Sequence, residues 1–250
     1  MFELFRSSQS QVRRLYLMQL SRTQVPLPDG RTLDMILPCY LIEMEDKLRI
    51  LVDTGINDDA VRPPGTPPAQ DKSTVFEQLA TLYLDPDDID IVICTHFDVD
   101  HAGYHDKFPD AEFIVQREHY EIARHGNKRT DATRAHWGAF GLKYRLIHGD
   151  HEILPGVHCI ETSGHVPGHQ SVMVELPNTG KVLLAIDAAM FQSQFVRDRK
   201  PGPNDVDATL TVKSTNKLLD LVERENVQLT VFGHDGAQWR NLKTCAEFYD

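Results

Sequence analysis

The chain of 250 residues is 41% hydrophobic and 25% charged, which is typical of a folded globular protein, and its length is near the upper limit for one domain. We therefore predict a single domain spanning residues 1–250. Asp and Glu number 37 and Lys and Arg number 26, so the net charge is -11. A negative surface of this kind repels phosphate backbones and anionic lipids, which argues against nucleic-acid and membrane partners.

The sequence also indicates a cytoplasmic protein without disulfides. No segment approaches the roughly 18 to 20 consecutive apolar residues of a membrane-spanning helix, and the N-terminal MFELFRSSQSQVRRLY lacks the basic-then-apolar order of a signal peptide. The cysteines lie far apart and form no CxxC motif, which predicts buried free thiols rather than a disulfide framework or a thiolate zinc site. They are Cys39, Cys94, Cys159 and Cys245.

The first part of the chain has the pattern of antiparallel strands. VRRLYLMQL (12–20), MILPCYLIEME (35–45) and KLRILVDTG (47–55) are predicted strands, and a short charged turn at Asp46 separates the last two. The loop NDDAVRPPGTPPAQDK (57–72) that follows is long and rich in proline, which favours a substrate-side flap or an oligomer contact over a domain linker.

Helices and buried strands then alternate. Thr74 and Glu77 form a capping box, and the apolar spacing after them predicts a helix over 74–84. Further helices are predicted near 117–125 and 208–225. The predicted strands of this part are IDIVICTH (89–96), AEFIVQ (111–116), GVHCIET (156–162), QSVMVEL (170–176), KVLLAID (181–187) and VQLTVFG (227–233). The pattern is that of a mixed α/β protein whose sheets are covered by helices.

Residues of the types that bind metals follow four of these strands. His96 follows IVIC, His165 follows HCIET after the turn TSG, Asp187 ends VLLAI, and His234 follows LTVF. Ligands gather beyond the strand ends of α/β sheets, because the strands there hold side chains rigidly. We therefore expect these four strand ends to converge on one site.

The segment THFDVDHAG (95–103) adds further candidate ligands. Asp98, Asp100 and His101 lie close after His96, and a turn there could divide the side chains between two ions about 3.5 to 4 Å apart. A single histidine at a strand end is usually an ordinary hydrogen-bonding residue. We assign that ordinary role to His105, His119, His125, His136, His148, His151 and His158. The dense cluster is different, since its carboxylates would otherwise lie near a buried edge without partners.

Five segments together resemble a known family. THFDVDHAG, TSGHVPGHQS, AIDAA and FGHD, with VDTG before them, look like the signature segments of the metallo-β-lactamase superfamily, in the same order. LPCYLIE and FIVQREHYE extend the resemblance to the N-acyl homoserine lactonase branch, from about residue 12 to the end. The resemblance implies an αββα sandwich of two mixed β-sheets flanked by helices, with the site at the edge between the sheets.

The resemblance also implies a ligand set and two divalent metal ions, with zinc the expected metal. His96, Asp98 and His165 would bind the first ion, and Asp100, His101 and His234 the second. Asp187 would bridge the two. For Asp53 of VDTG, two interpretations remain open: it orients ligands from behind, or it only forms a strand-end turn.

Position 98 departs from the family pattern. The family motif is HxHxDH, whereas this chain has HFDVDH with Asp98 at the second histidine position. An Asp oxygen can replace a histidine Nδ1 there, but the added carboxylate lowers the formal charge of a two-metal centre bridged by hydroxide from +1 to 0. A lower charge weakens Lewis acidity, and the harder ligand set admits manganese or iron more readily.

A second departure lies at position 190. Lactonases of this branch have a tyrosine three residues after the bridging Asp, where its hydroxyl helps polarise the lactone carbonyl, and this chain has Met190. A thioether cannot donate a hydrogen bond, so this contact is missing unless Tyr104 reaches the site.

The function implied by the resemblance is hydrolysis of a lactone, in particular an N-acyl homoserine lactone, as in quorum quenching. A hydroxide bridging the metals would attack the carbonyl carbon, and Asp100 would act catalytically by carrying the proton to the leaving oxygen. Met190, Phe191, Trp137 and Phe140 either line an apolar pocket for the acyl chain or belong to the core.

Two alternatives and a partner prediction accompany this function. In the first, the chain hydrolyses another ester, a thioester or a phosphoester on the same scaffold. In the second, the chain is a weakened member of the family that binds a ligand without turnover. Six of the seven ligand positions keep the usual residue type, which favours a metal-bearing protein. The partner is expected to be a small lactone or ester with an apolar chain, and a homodimer is consistent with the resemblance and the proline-rich loop.

Overall fold

Two β-sheets form the centre of the molecule in the computed structural model, which describes residues 10–27, 30–60 and 67–250. The first sheet contains, in spatial order, β1 (Val12–Pro26), β2 (Thr32–Met44), β3 (Arg49–Val52), β4 (Ile91–Ile93), β5 (Glu112–Gln116) and β6 (Lys143–Ile147). The second sheet contains β11 (Leu229–Phe232), β10 (Gly180–Ile186), β9 (Gln170–Leu176), β8 (Val157–Glu161) and β7 (His151–Leu154).

Both sheets are mixed, as predicted. In the first sheet, β1, β2 and β3 pair antiparallel, and β3 to β6 pair parallel. In the second sheet, only β10 and β11 are parallel. The antiparallel start matches the hairpins expected from the sequence, since a short turn can connect only antiparallel neighbours.

Alternation along the strands divides the apolar side chains between layers. In β1, Leu15 and Leu17 belong to the cluster between the two sheets, while Tyr16 and Met18 belong to a cluster on the outer face of the first sheet. Because successive side chains of a strand point to opposite faces, one strand supplies two layers of the core. The cluster between the sheets also contains Val172, Val174, Val182 and Leu184 of the second sheet.

Helices cover the outer faces of both sheets. On the first sheet lie α1 (Val75–Thr81), α2 (Arg117–Arg124) and α4 (Arg134–Trp137), with α3 (Lys128–Asp131) beside α4, and on the second lies α5 (Ala208–Arg224). A last short helix, α6 (Gly236–Trp239), follows β11. The expected αββα sandwich is therefore confirmed. Among the described residues, no helix is long and apolar enough to cross a membrane.

The structure confirms the predicted helices near 74–84, 117–125 and 208–225. The side chain of Thr74 accepts a hydrogen bond from the Glu77 backbone, and Glu77 accepts one from the Thr74 backbone, so the capping box forms as expected. The strands β6 and β7 and the short helices α3, α4 and α6 were not predicted. Each has only four or five residues, too few for a period to stand out.

Two further predictions have partial outcomes. Cys39, Cys94 and Cys159 are buried free thiols as expected, but Cys245 is only half-buried.

In the proline-rich loop 57–72, residues 61–66 lie outside the described residues. The described end of this loop returns to the first sheet, where the backbones of Arg22 and Gln70 form a β-bridge.

Gln170 joins the two sheets beside the strand ends. Its side-chain amide donates to the carbonyl of Cys94 after β4, at 2.8 Å, and its carbonyl oxygen accepts from the Gln116 amide at the end of β5, at 3.0 Å. All three residues are buried. Buried amides with partners on both sides hold the sheet edges at a fixed separation, which positions the residues that follow the strands.

Candidate metal centre

The four strand ends that carry metal-type residues do converge on one buried cluster. His96 follows β4, Asp187 follows β10, His234 follows β11, and His165 lies in the turn after β8. The loop after β4 adds Asp98, Asp100 and His101. Within the described residues, three overlapping groups have ligand atoms within 4.8 Å of one another: His96, Asp98 and His165; His96, His101 and Asp187; and Asp100, His101 and His234.

The first group has the spacing of a tetrahedral metal site. Nε2 of His165 lies 3.3 Å from Oδ2 of Asp98 and 3.2 Å from Oδ2 of Asp187, and Nε2 of His96 lies 3.4 Å from the same oxygen of Asp98. Two ligands bound at 2.0 to 2.1 Å to a tetrahedral zinc ion are about 3.3 Å apart. Donor atoms at these positions could therefore share one ion.

The group of Asp100, His101 and His234, called the second group from here on, is more open. Nε2 of His234 lies 3.0 Å from Oδ1 of Asp187, and Nε2 of His101 lies 3.7 Å from that oxygen. Asp100 is 3.8 Å from His101 and 3.9 Å from His234, through its two carboxylate oxygens. Asp187 thus turns Oδ2 toward the first group and Oδ1 toward the second, which is the arrangement a bridging carboxylate requires.

Two histidine nitrogens point into this cluster without a partner. Nε2 of His96 and Nε2 of His101 are buried, and neither forms a hydrogen bond to any described residue. A buried polar atom without a partner costs free energy, about 1 to 3 kcal/mol. A metal ion accepts such lone pairs, so the donor set fits a divalent metal.

Asp53 fixes the orientation of two histidines from behind. Its Oδ2 accepts a hydrogen bond from Nδ1 of His101 at 2.7 Å and another from the Thr95 hydroxyl at 2.7 Å. The same hydroxyl lies 3.0 Å from Nδ1 of His96. These bonds leave Nε2 of both rings facing the cluster, which agrees with the orienting interpretation of Asp53.

The VDTG turn that carries Asp53 docks directly on the loop THFDVDHAG (95–103), which is called the metal loop from here on. The Thr54 backbone N–H donates to the His101 carbonyl, and the Gly103 N–H donates to the Gly55 carbonyl, both at 2.8 Å. A Cβ at position 103 would lie only 2.4 Å from the backbone nitrogen of Asn57. Glycine is therefore required at the end of THFDVDHAG for the two backbones to come this close.

Backbone and carboxylate partners orient the other two histidines. Nδ1 of His234 donates to the Ile36 carbonyl at 2.8 Å. Nδ1 of His165 faces Oδ1 of the buried Asp205 at 3.5 Å, and Asp205 in turn pairs with the buried Arg199 at 3.3 Å. Each ring thus has its outer nitrogen directed at an acceptor, which leaves Nε2 for the cluster.

The position of Asp187 depends on an unusual backbone conformation. Ile186 adopts a φ of 52°, which is rare for a β-branched residue, and the next residue is Asp187. Gly233 packs against this turn, where a Cβ would lie 2.8 Å from the Ile186 carbonyl oxygen. The N–H of Asp187 points at Nε2 of His169, at 3.3 Å. These contacts hold the carboxylate of Asp187 between the two groups.

The carboxylates of the cluster raise the pKa values of two histidines, His101 and His165. Burial lowers the pKa of His101, but Asp100, Asp53 and Asp187 outweigh burial and raise it to about 10. Burial also lowers the pKa of His165, and Asp187, Asp205 and Asp98 raise it to about 9. The carboxylates therefore create a negative potential at these nitrogens, which attracts any cation, a metal ion included.

His96 responds in the opposite direction. Burial, followed by the charge of His101, lowers the pKa of His96 to about 3, so its ring is neutral at pH 7. A neutral imidazole offers a lone pair at Nε2, which is the form that binds metal.

Arg129 is a component of the site that the sequence did not reveal. Its Nε donates to both oxygens of Asp98, at 2.7 and 2.8 Å, and its Nη2 donates to Oδ2 of Asp98 and contacts Nε2 of His165 at 2.7 Å. Arg129 lies in α3, one of the short helices that were not predicted. Asp205 and Arg199 were missed for a similar reason, since their loop carries no recognisable pattern.

Two buried histidines near the cluster have structural roles. His119 accepts a hydrogen bond from the Phe97 N–H at 2.8 Å and donates to the Pro167 carbonyl, which ties the metal loop to α2. The ordinary role expected for His119 is thus observed. His169, for which no role was predicted from the sequence, contacts the Thr162 hydroxyl at 2.8 Å through Nδ1.

The aromatic residues expected near the site have mixed positions. Tyr104 packs edge-on against Phe76, with 4.9 Å between ring centroids, in the cluster beneath α1, so its side chain does not replace the missing tyrosine. Trp137 is a core residue that stacks on Phe97. Phe140 is fully exposed, so both interpretations for it were wrong. A position in a short turn between α4 and β6 explains why no core layer covers it.

Met190 and Phe191 do lie beside the centre. The Met190 carbonyl accepts a hydrogen bond from the His234 N–H at 2.9 Å. Phe191 lines an open cavity of about 570 Å³ together with Leu33 and Asp235, the residue after His234. An apolar side chain and an open volume are therefore present beside Asp235, the residue that follows His234.

Comparison with known proteins identifies one family and several related enzymes. The family described as the metallo-beta-lactamase superfamily matches residues 36–234. The chain is 32% identical to the N-acyl homoserine lactonase AiiA of Bacillus thuringiensis subsp. kurstaki over 256 residues, which cover 95% of this chain and 99% of that protein. It is 36% identical to the N-acyl homoserine lactonase AttM of Rhizobium radiobacter over 188 residues, or 69% of this chain and 68% of the relative.

A solved structure gives the same result at the level of the fold. An N-acyl homoserine lactone hydrolase with the product N-hexanoyl-L-homoserine bound at its catalytic metal center superposes with a TM-score of 0.83. It is 31% identical in sequence, and the match covers 96% of this chain and all of that one.

Proposed function

This chain belongs to the metallo-beta-lactamase superfamily, and we propose that it is a metal-dependent hydrolase that opens the lactone ring of N-acyl homoserine lactones, a quorum-quenching activity. Similarity to lactonases along nearly the whole chain supports this proposal. The observation that carries it is the arrangement of Asp187, whose two oxygens face two separate groups of metal-type side chains.

The residues proposed to hold the metals are those expected from the sequence. His96, Asp98 and His165 would hold the first ion, Asp100, His101 and His234 the second, and Asp187 both. Two divalent ions would supply a water of lowered pKa and a Lewis acid for the lactone carbonyl. We expect zinc, and the carboxylate of Asp98 makes manganese or iron acceptable as well.

Asp100 is the proposed proton carrier. Its side chain is 24% exposed, whereas the neighbouring side chains of His101 and His234 are at most 3% exposed. A carboxylate that is open on one side and close to the cluster on the other can take a proton from water and give it to the oxygen released on ring opening.

The cavity beside Phe191 is a suitable place for the acyl chain. Its lining includes Asp235, the residue after His234, and Leu33 and Phe191 supply apolar surface. The expected partner is therefore a small lactone with an apolar chain. A cytoplasmic location, a homodimer and the exclusion of nucleic acid and membranes stay predictions from the sequence.

A second candidate is a hydrolase of another ester or thioester. Met190 gives no hydrogen bond to a leaving oxygen, and Tyr104 points elsewhere. An ester with a better leaving group depends less on such a donor, so this candidate would share the metal centre but not the lactone preference.

Metal content and hydrolysis together test the proposal. Protein purified without chelator should contain about two metal ions per chain and should hydrolyse N-hexanoyl homoserine lactone, and chelation should abolish the reaction. The variant Asp187→Asn should lose both metal and activity, while Asp59→Asn, at an exposed position, should keep both. Two metals with turnover of thioesters or aryl esters only would favour the second candidate, and no metal with no turnover would leave a ligand-binding protein.

A further inference from the structure

All three guanidinium nitrogens of Arg129 form hydrogen bonds. Nε and Nη2 donate to the carboxylate of Asp98, and Nη1 donates to the Asn204 carbonyl at 2.7 Å. Asn204 belongs to the loop that leads into α5. The guanidinium is therefore held from two sides, by Asp98 of the metal loop and by the loop that precedes α5.

The atoms that Arg129 contacts are those the first metal position needs. Nη2 lies 2.7 Å from Nε2 of His165 and donates to Oδ2 of Asp98, and these two atoms belong to the first group of candidate ligands. The Nη2 group of Arg129 thus stands directly at the atom of His165 that a metal ion would have to bind. The guanidinium and a metal ion cannot both lie this close to Nε2.

The second metal position has a different environment. Its members Asp100, His101 and His234 contact one another and Asp187, and the outer nitrogens of the two rings face Asp53 and the Ile36 carbonyl. Two carboxylates, Asp100 and Asp187, thus serve this position. At the first position the charge of Asp98 is already balanced by Arg129, which weakens the attraction for a dication.

We propose that Arg129 is a tethered competitor for the first metal position, so that the two positions fill in order: the second position first and with higher affinity, the first position only as the guanidinium is displaced from His165. This inference rests on the proposed metal centre and adds an order of binding to it. Asp98 and Arg129 together then explain how the chain tolerates a carboxylate where the family has a histidine. The pair keeps Asp98 charged and in place until a metal arrives.

A zinc titration of the metal-free protein tests the order of binding. With a chromophoric chelator as competitor and native mass spectrometry to count ions, the unmodified protein should bind one zinc ion tightly and a second about tenfold or more weakly. Arg129→Met should bind both ions with dissociation constants within about threefold of each other, because His165 and Asp98 are then free. Arg129→Lys, which keeps the charge but loses the planar fork, should give an intermediate ratio.

Control variants and opposing outcomes separate this inference from the metal centre itself. Arg124→Met removes an exposed arginine from α2 and should leave the ratio of the two dissociation constants unchanged. Circular dichroism should show that each variant is folded. Two ions of equal affinity in the unmodified protein, or an unchanged ratio in both folded Arg129 variants, would overturn the competitor role and leave the metal centre standing. Protein that binds no zinc would overturn both.

Discussion

Nδ1 of His101 lies 2.7 Å from Oδ2 of Asp53, and this pair links the VDTG turn to the metal loop 48 residues later. Both residues are buried, and Asp53 has a φ of 59°, a left-handed conformation that costs about 1 to 3 kcal/mol outside glycine. The backbone N–H and the hydroxyl of Thr95 complete the hydrogen bonds of Asp53. The strained aspartate is held where it can direct Nε2 of His101 into the centre.

Asp53→Asn should therefore weaken metal binding without abolishing the fold. The amide can still accept one hydrogen bond, but it has lost the charge that holds His101 and Thr95. We expect metal affinity at the second position to fall by about 10- to 100-fold. Zinc titration measures this change, and Asp59→Asn, at an exposed position nearby in sequence, serves as the control. Unchanged affinity in Asp53→Asn would mean that packing alone orients His101.

Asp98→His should be poorly tolerated unless Arg129 is changed as well. The histidine restores the family motif, but it leaves a partly buried guanidinium without its carboxylate. We expect a coupling free energy of about 0.5 to 3 kcal/mol between Asp98→His and Arg129→Met in the free energy of unfolding of metal-free protein.

A double-mutant cycle with urea unfolding measures this coupling. The pair Asp131→His and Arg134→Met is a matched control, because Asp131 and Arg134 lie 3.5 Å apart with each side chain 48% exposed. Exposed pairs contribute little, so its coupling should be near zero. Additive effects at positions 98 and 129 would contradict the predicted coupling.

Met190→Tyr should accelerate lactone hydrolysis. Met190 lies next to the centre, where its carbonyl accepts from the His234 N–H, and a tyrosine hydroxyl there could donate to the lactone oxygen. We expect kcat to rise about tenfold or more with little change in KM, since such a donor acts mainly in the transition state. Met190→Phe has the ring without the hydroxyl and should show no gain. Equal rates in the two variants would exclude a hydrogen-bonding effect.

Removal of metal should lower the thermal stability. The centre gathers three carboxylates and four histidines at one edge, and an ion that binds only the folded state stabilises it by about 4 kcal/mol when present at a thousandfold its Kd. Excess chelator should therefore lower Tm, and added zinc should restore it, as measured by calorimetry. Asp187→Asn should respond much less to chelator. An equal drop in Asp187→Asn would show that the chelator acts elsewhere.

His105 should make the fold sensitive to acid. Burial, followed by the charge of His136, lowers the pKa of His105 to about 3 from its ordinary 6.5. The unfolded chain therefore binds this proton at a higher pH than the folded protein does. Neutral His105 therefore contributes to the free energy of unfolding above about pH 6.5. This contribution is lost as pH falls from about 6.5 toward 3, by about 1.4 kcal/mol per pH unit.

His105→Phe should remove this part of the acid sensitivity. Urea unfolding at several pH values, with chelator present, should give a shallower loss of stability for His105→Phe than for the unmodified protein. His125→Phe, at an exposed position, should follow the unmodified protein. Parallel curves for all three proteins would contradict the assignment.

Local patterns explain which elements were predictable. β1 alternates between two core layers, and α1 begins with the Thr74 capping box, so each carries its signal within a few neighbouring residues. In the same way, His96 and Asp187 were recognisable because each directly follows an apolar strand. β6 and α3 were missed because segments of four or five residues are too short for a period to be distinguished from chance.

The sequence by itself determined the fold class, the family and the types of side chain at the strand ends. The tertiary structure alone decided how those side chains are paired. Asp98 meets Arg129 across 31 residues of chain, and His165 meets Asp205 through a loop without a pattern. Secondary structure follows from periodicity along the chain, whereas contacts between charged groups depend on the path of the backbone in space. That path directs the two oxygens of Asp187 toward two groups of side chains and places the guanidinium of Arg129 against the first proposed metal position.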